Sequence, residues 1–140
     1  MNKILLLVGN LISNLEWIQL MQKEIEDSST KVIIHEYLHW QNPEFGEIDF
    51  EKELVKLAKI VKEYKEVIVI AKSAGIILAL YAIERGITSP SRVVFIGVPY
   101  KWALERNHSI SDLFSTLKSC LLYTSPSPRD RTRSRMPSSA

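Results

Sequence analysis

The sequence predicts an α/β protein in which a mostly parallel sheet lies between two layers of helices. Four apolar or β-branched runs, near residues 3–8, 31–37, 67–71 and 92–98, are typical of strands buried inside a sheet. Helical patterns separate these runs, and strands that alternate with helices of this length pair in parallel. The 140 residues suffice for one small domain, which we place at residues 1–119.

The helices between the strands have recognisable starts and ends. A capping-box pattern, Ser13 with Glu16 three residues later, predicts a helix that runs to about residue 27. A second helix begins after Asp49 as N-cap, and its charged face is predicted to be solvated; that face carries Lys52, Glu53, Lys56, Lys59, Lys62 and Glu63. A third helix, residues 74–85, is apolar nearly all round and ends at Gly86, and a short helix starts near Ser111.

The third strand and the third helix are joined by Ala71-Lys72-Ser73-Ala74-Gly75. The small residues on both sides of Ser73 leave room for a tight strand-to-helix turn. A serine in such a turn has a strained backbone and an exposed Oγ above the first amides of the helix. The alternative is that Ser73 only caps the helix.

This strand, turn and buried helix resemble the nucleophile elbow of the α/β-hydrolase superfamily, G-x-S-x-G, with Ala71 in place of the first glycine. The resemblance implies a small, esterase-like serine hydrolase that acts on an ester, thioester or amide without a cofactor or metal. It also implies that Ser73 is the nucleophile. The oxyanion-hole amides are then those of Ala74 and of Asn10 or Leu11, which follow the first strand. Two alternatives stay open: residues 9–10 as an ordinary turn, and a non-catalytic hydrolase-like binding or scaffold protein.

The resemblance also implies an acid and a histidine after the nucleophile, and only His108 follows Ser73. His108, Glu105 and Asp112 lie in a polar stretch where surface roles are expected. We therefore expect that the acid and the histidine belong to a lost C-terminal part, and that the printed chain is an inactive fragment of a hydrolase.

A competing motif is His35-Glu36-Tyr37-Leu38-His39, which matches the zinc-peptidase pattern H-E-x-x-H. Zinc binding of that kind needs both histidines on one helical face. β-Branched residues precede the motif and Pro43 follows it, so we predict strand-end or loop histidines. In an extended strand the two histidines would lie roughly 13 Å apart, too far for one metal ion.

Residues 120–140 resemble the translation of a transposase-type adapter used in preparing sequencing libraries, and we interpret them as a non-native, disordered tail; a genuine disordered tail is the alternative. Four arginines and one aspartate in the tail contribute +3 to the net charge of +2, so residues 1–119 carry −1. That balance gives no reason to expect a nucleic-acid partner. Cys120, the single cysteine, also belongs to the tail.

No run is long enough to cross a membrane and no signal peptide is recognisable, so we expect a cytoplasmic protein with a small-molecule substrate and no membrane partner.

Overall fold

A computed structural model describes residues 2–64, 66–117 and 122–125, and its described strands form one parallel sheet. The order across the sheet is β2-β1-β3-β4-β5, and every neighbouring pair is parallel. The strands are β1 Asn2–Leu7, β2 Thr30–Ile34, β3 Ile68–Lys72, β4 Arg92–Ile96 and β5 Leu122–Ser125.

Helices connect these strands and cover both faces of the sheet. The α-helices are α1 Ser13–Ile25, α2 Phe50–Val61, α3 Ala74–Glu84, α4 Tyr100–Glu105 and α5 Ile110–Phe114. Single turns of 3₁₀-helix occupy Leu38–Trp40, Pro43–Phe45 and Ser115–Leu117. Helix α3 packs against α2, α4 and α5, so these four share a face. Because β1 to β2 runs in the opposite direction across the sheet, a right-handed connection places α1 on the other face. The predicted three-layer α/β class is confirmed.

Helix α3 is the centre of the core, and its start lies very close to β1. Nearly all of its side chains are buried, as its apolar sequence predicts. A Cβ at Gly75 would lie 2.6 Å from both the carbonyl carbon and the oxygen of Leu7. Only glycine fits that approach without a shift of backbone, so Gly75 fixes the position of α3, and of the turn before it, over the sheet.

Two of the predicted helix ends are confirmed and one start is wrong. Asp49 caps α2 by accepting a hydrogen bond from the Lys52 amide at 3.3 Å, and Gly86 ends α3 with φ +71°. Helix α1 instead has Ile12 at its N-cap, with no capping bond from a side chain. Ser13 already belongs to the first turn, so its hydroxyl is not placed to cap, and the helix ends at Ile25.

Other differences arise from contacts that are distant in sequence. Strand β2 ends at Ile34, three residues earlier than predicted, because the chain turns there towards α2. Glu53, assigned to the solvated face of α2, is 1% exposed and lies beneath that turn.

Helix α4 and strand β5 are additional to the predicted elements. Strand β5 lies inside residues 120–140 and pairs with β4 along its outer edge; the rest of that stretch lies outside the described residues. No described helix has the length and apolar character needed to cross a membrane.

Candidate active site

Ser73 occupies a strained turn between β3 and α3. Its backbone has φ 53° and ψ −128°, a conformation that glycine favours and that costs other residues about 1–3 kcal/mol. The turn is held at both ends: the Ser73 amide donates to the Ile96 carbonyl at 3.0 Å, and the Ser73 carbonyl accepts from the Ile76 amide at 2.9 Å. The Ser73 side chain makes no capping hydrogen bond to α3. The simple helix-cap alternative is therefore not what the structure contains.

Gly9, in the loop after β1, faces the Ser73 side chain. A Cβ at Gly9 would lie 3.4 Å from the Ser73 Cβ and 3.6 Å from its Oγ. The Asn14 side-chain nitrogen would be closer still, at 3.3 Å, so the absence of a side chain at Gly9 lets the loop after β1 approach both Ser73 and Asn14. The structure thus brings together the two loops that the sequence analysis singles out.

These two loops lie where the direction of strand addition reverses. Strand β1 is followed in space by β2 on one side and by β3 on the other. In open parallel sheets, ligands bind at the carboxyl ends of strands at such a switch point. Several doubly wound families share this strand order, so the order locates a site without choosing its chemistry.

The space between the loop after β1 and the start of α3 is here called the gap. Backbone amides on its two sides are candidates for binding an oxyanion. Ala74 is the first residue of α3, and the first amides of a helix have no acceptor within the helix and lie at its positive end. Asn10 and Leu11 follow Gly9 on the opposite side. Leu11 and Ile12 are 67% and 57% exposed, so the loop also presents an apolar rim. A hydroxyl, amides and an apolar rim suit a carbonyl attached to an apolar group.

The loop after β1 is fixed by side chains that follow β2. The Asn10 carbonyl accepts hydrogen bonds from His39 Nε2 at 2.6 Å and from Trp40 Nε1 at 3.0 Å. The Asn10 side-chain oxygen accepts from the Ile48 amide at 2.9 Å. Tyr37 donates its hydroxyl to the Val8 carbonyl at 2.5 Å. No local pattern in the sequence predicts this arrangement, because its partners are about thirty positions apart.

A buried polar pair anchors the chain between Tyr37 and Trp40. His35 is 0% exposed, and its Nε2 lies 2.9 Å from Glu53 Oε1. The other oxygen of Glu53 accepts from the Leu38 amide at 2.9 Å. Glu53 therefore serves both the end of β2 and the start of the 3₁₀ turn, which explains why a carboxylate on α2 is buried.

The H-E-x-x-H stretch does not form the helix that zinc peptidases use. His35 lies just after β2 and His39 lies in a 3₁₀ turn, as loop histidines were predicted to do. The two imidazoles have different partners, Glu53 and the Asn10 carbonyl. Among the described residues, no group of three or more histidine, cysteine, aspartate or glutamate side chains is gathered as a metal site would require.

His108 lies away from Ser73. Its Nδ1 is 2.7 Å from the Tyr81 hydroxyl, and its ring packs against Phe50 with centroids 4.8 Å apart. Tyr81 follows Ser73 by eight residues on α3, which is roughly 12 Å along the helix axis. Burial, with a smaller contribution from Arg106, lowers the pKa of His108. His108 is half-buried, so its expected surface role is only partly right, whereas Glu105 and Asp112 are exposed.

The chain contains three histidines, and all of them are described. Within the described residues their hydrogen-bond partners are Glu53, Asn10 and Tyr81, and none of the three is bonded to Ser73.

Comparison of the chain with protein-family models, with curated proteins and with solved structures finds no match.

Proposed function

We propose that Ser73 is the nucleophile of a serine hydrolase of the α/β-hydrolase type, which acts on an ester, thioester or amide. The observation that carries the proposal is the strained backbone of Ser73 between β3 and α3, with its hydroxyl outside any helix cap and facing Gly9. Strain at a single non-glycine residue persists where the surroundings impose it, and such residues cluster at reactive sites. Here the bond to Ile96 and the close approach of Gly75 to β1 impose it.

The arrangement supports acyl transfer in a simple way. Ser73 Oγ attacks the carbonyl carbon of the substrate and gives its proton to a base, and the leaving group departs after it is protonated, which leaves the acyl group on Ser73. Water that gives a proton to the same base then attacks the acyl carbon, and the acid is released as Ser73 Oγ regains a proton. The negative charge on the former carbonyl oxygen is stabilised by the amide of Ala74 and by an amide of the loop after β1. The apolar rim at Leu11 and Ile12 suits an apolar acyl or leaving group.

The base is the part of this proposal that the described residues do not supply. None of the three histidines is bonded to Ser73 within those residues. We therefore propose that the histidine, with its acid partner, comes from outside the printed sequence. Loss of triad members leaves only the assistance of the oxyanion hole and of binding, so the printed chain should hydrolyse activated esters at a rate several orders of magnitude below that of an enzyme.

The experiment compares hydrolysis of p-nitrophenyl acetate by the printed chain and by a longer reading frame that includes residues 1–117. We expect the longer protein to turn over the ester, its Ser73→Ala variant to lose that activity, and a zinc chelator to have no effect. A longer protein that folds and yet has no Ser73-dependent activity would contradict the proposal. If the activity is lost on addition of a zinc chelator and in His35→Ala, the assignment of the chemistry to Ser73 is wrong.

The second candidate function is a non-catalytic binding or scaffold protein with the same fold. The observation that favours it is the lack of a histidine partner for Ser73 among the described residues. In that case Ser73→Ala and the unaltered longer protein should react equally with esters, and both only at the background rate.

A further inference from the structure

We propose that Tyr37, His39 and Trp40, here called the clamp, orient the loop after β1 so that Leu11, rather than Asn10, supplies the second oxyanion-hole amide. The inference rests on the proposed function of Ser73, and it gives the H-E-x-x-H stretch a role without a metal. The clamp residues do not touch the reacting atoms; they are positioning residues.

The Asn10 carbonyl is directed towards the clamp. It accepts from His39 Nε2 and from Trp40 Nε1, at 2.6 Å and 3.0 Å, so two rings from the same turn hold one oxygen. Because the acceptor is a carbonyl, His39 must carry its proton on Nε2. His39 Nδ1 is buried and has no hydrogen-bond partner within the described residues, so Nε2 makes the ring's described hydrogen bond.

The peptide bond between Asn10 and Leu11 is trans. No described peptide bond is cis. In a trans peptide the carbonyl and the next amide point in opposite directions. The clamp follows β2, on one flank of β1, whereas Ser73 follows β3, on the other flank. With the Asn10 carbonyl directed towards the clamp, the Leu11 amide is directed to the flank on which Ser73 lies.

Neighbouring groups hold the same loop in place. The Leu11 carbonyl accepts from both the backbone amide and the side-chain amide of Asn14, at 2.9 Å and 3.0 Å. Tyr37 holds the Val8 carbonyl, and burial, with a smaller contribution from Glu53, raises the pKa of Tyr37, so its hydroxyl remains a donor. The peptide between Asn10 and Leu11 is therefore fixed from both ends before any substrate arrives. Such preorganisation is what an oxyanion hole needs.

The first measurement is the rate at which a fluorophosphonate modifies Ser73, followed by peptide mapping with imidazole added as an external base. Trp40→Phe keeps an aromatic ring and removes the indole N–H donor, and His39→Ala removes the other donor. We expect each to slow the modification about tenfold, since a misplacement of about 1 Å can reduce a rate up to about 10²-fold. His39→Gln keeps an N–H donor and should recover most of the rate. Trp102→Phe, which alters a tryptophan that bonds nothing in the loop, is the matched control and should match the unaltered protein.

The second measurement separates this inference from the proposed function. In the phosphonylated protein, the amide proton of Leu11 should move downfield in the NMR spectrum because it binds the phosphonyl oxygen, while that of Asn10 should not. In the unmodified protein, Trp40→Phe should speed hydrogen exchange across residues 9–12 about tenfold or more, whether or not Ser73 reacts. Failure of Ser73 to react, with exchange still faster in Trp40→Phe, would reject the hydrolase and retain the clamp. Exchange that is unchanged in the variants, or a downfield shift of Asn10 instead of Leu11, would overturn the inference.

Discussion

The two sides of the gap around Ser73 are built from different kinds of contact. On the side of the elbow, small residues and a buried apolar helix hold the backbone, and the closest approach is that of Gly75 to Leu7. On the side of the loop after β1, polar side chains hold it through hydrogen bonds to the Val8 and Asn10 carbonyls. Overpacking at Gly75 should therefore act mainly on folding, whereas removal of the donors that bind the Asn10 carbonyl should act mainly on the reactivity of Ser73.

The largest effect is expected at Gly75. Gly75→Val places a side chain within 2.6 Å of backbone atoms of Leu7, and neither α3 nor β1 can yield without opening the core. We expect this variant to lose cooperative unfolding in urea, and Gly75→Ala to lose about 3 kcal/mol, the upper part of the usual range for overpacked cores, because the clash is with backbone atoms.

Gly86→Ala is the matched control. Gly86 has φ +71° but nothing within 4 Å of an added Cβ, so only backbone strain is introduced, about 1–2 kcal/mol. If the Gly75 and Gly86 alanine variants unfold at the same urea concentration, the close approach of α3 to β1 is not what holds the elbow.

The next effect is expected at Glu53, beneath the clamp. Glu53→Ala leaves His35 and the Leu38 amide without their shared acceptor, and each buried polar group left unsatisfied costs about 1–3 kcal/mol. Glu53→Gln keeps an acceptor for one of them and should lose less. The exposed Glu63→Ala is the control for loss of a charge near α2. The free energy of unfolding in urea is the measurement, and equal values for the Glu53 and Glu63 alanine variants would contradict the buried pair.

The sequence predicts the strand, turn and helix around Ser73 well and the hydrogen bonds of Tyr37, His39 and Trp40 poorly, for physical reasons. The β-branched run of β3, the small residues around Ser73 and the apolar α3 are adjacent in sequence, and their local preferences agree with the tertiary structure. Glu53 looks solvated because its neighbours on α2 are lysines, and only the position of His35 makes its burial favourable. His39 and Trp40 meet Asn10 across about thirty residues, and no periodicity encodes that pairing. The capping box at Ser13 is wrong because the loop before it enters the helix one residue earlier.

A smaller effect of the opposite sign is expected at Ser73 itself. Ser73→Gly relieves the strain at φ 53° and should raise the free energy of unfolding by about 1 kcal/mol, while it removes the hydroxyl. Asn107→Gly, at φ 62°, is the control and should gain less, because asparagine tolerates that region. Urea unfolding measures both. A loss of stability in Ser73→Gly would mean that the turn is not strained.

The smallest expected effect is a pH dependence of the free energy of unfolding, which arises at His108, away from Ser73. Burial, together with Arg106, lowers the pKa of His108 in the folded chain. The unfolded chain therefore binds this proton at higher pH, so stability is lost as the pH falls through the ordinary histidine range near about 6.5. His108→Asn should reduce the fall in the free energy of unfolding between about pH 7.5 and about pH 5.5. An unchanged slope would show that His108 is not the group responsible.

The central claim is that Ser73 lies in a preformed oxyanion site, and competition among serines within one molecule tests it most directly. The printed chain is treated with a fluorophosphonate and imidazole, and the modified peptides are counted over time. Ser13 and Ser111 are exposed and serve as internal references. We predict that Ser73 is modified at least about 10²-fold faster than either reference, because one oxyanion-hole donor alone is worth about 10²–10³ in rate. Modification of Ser73 at the same rate as Ser13 and Ser111 would contradict the account.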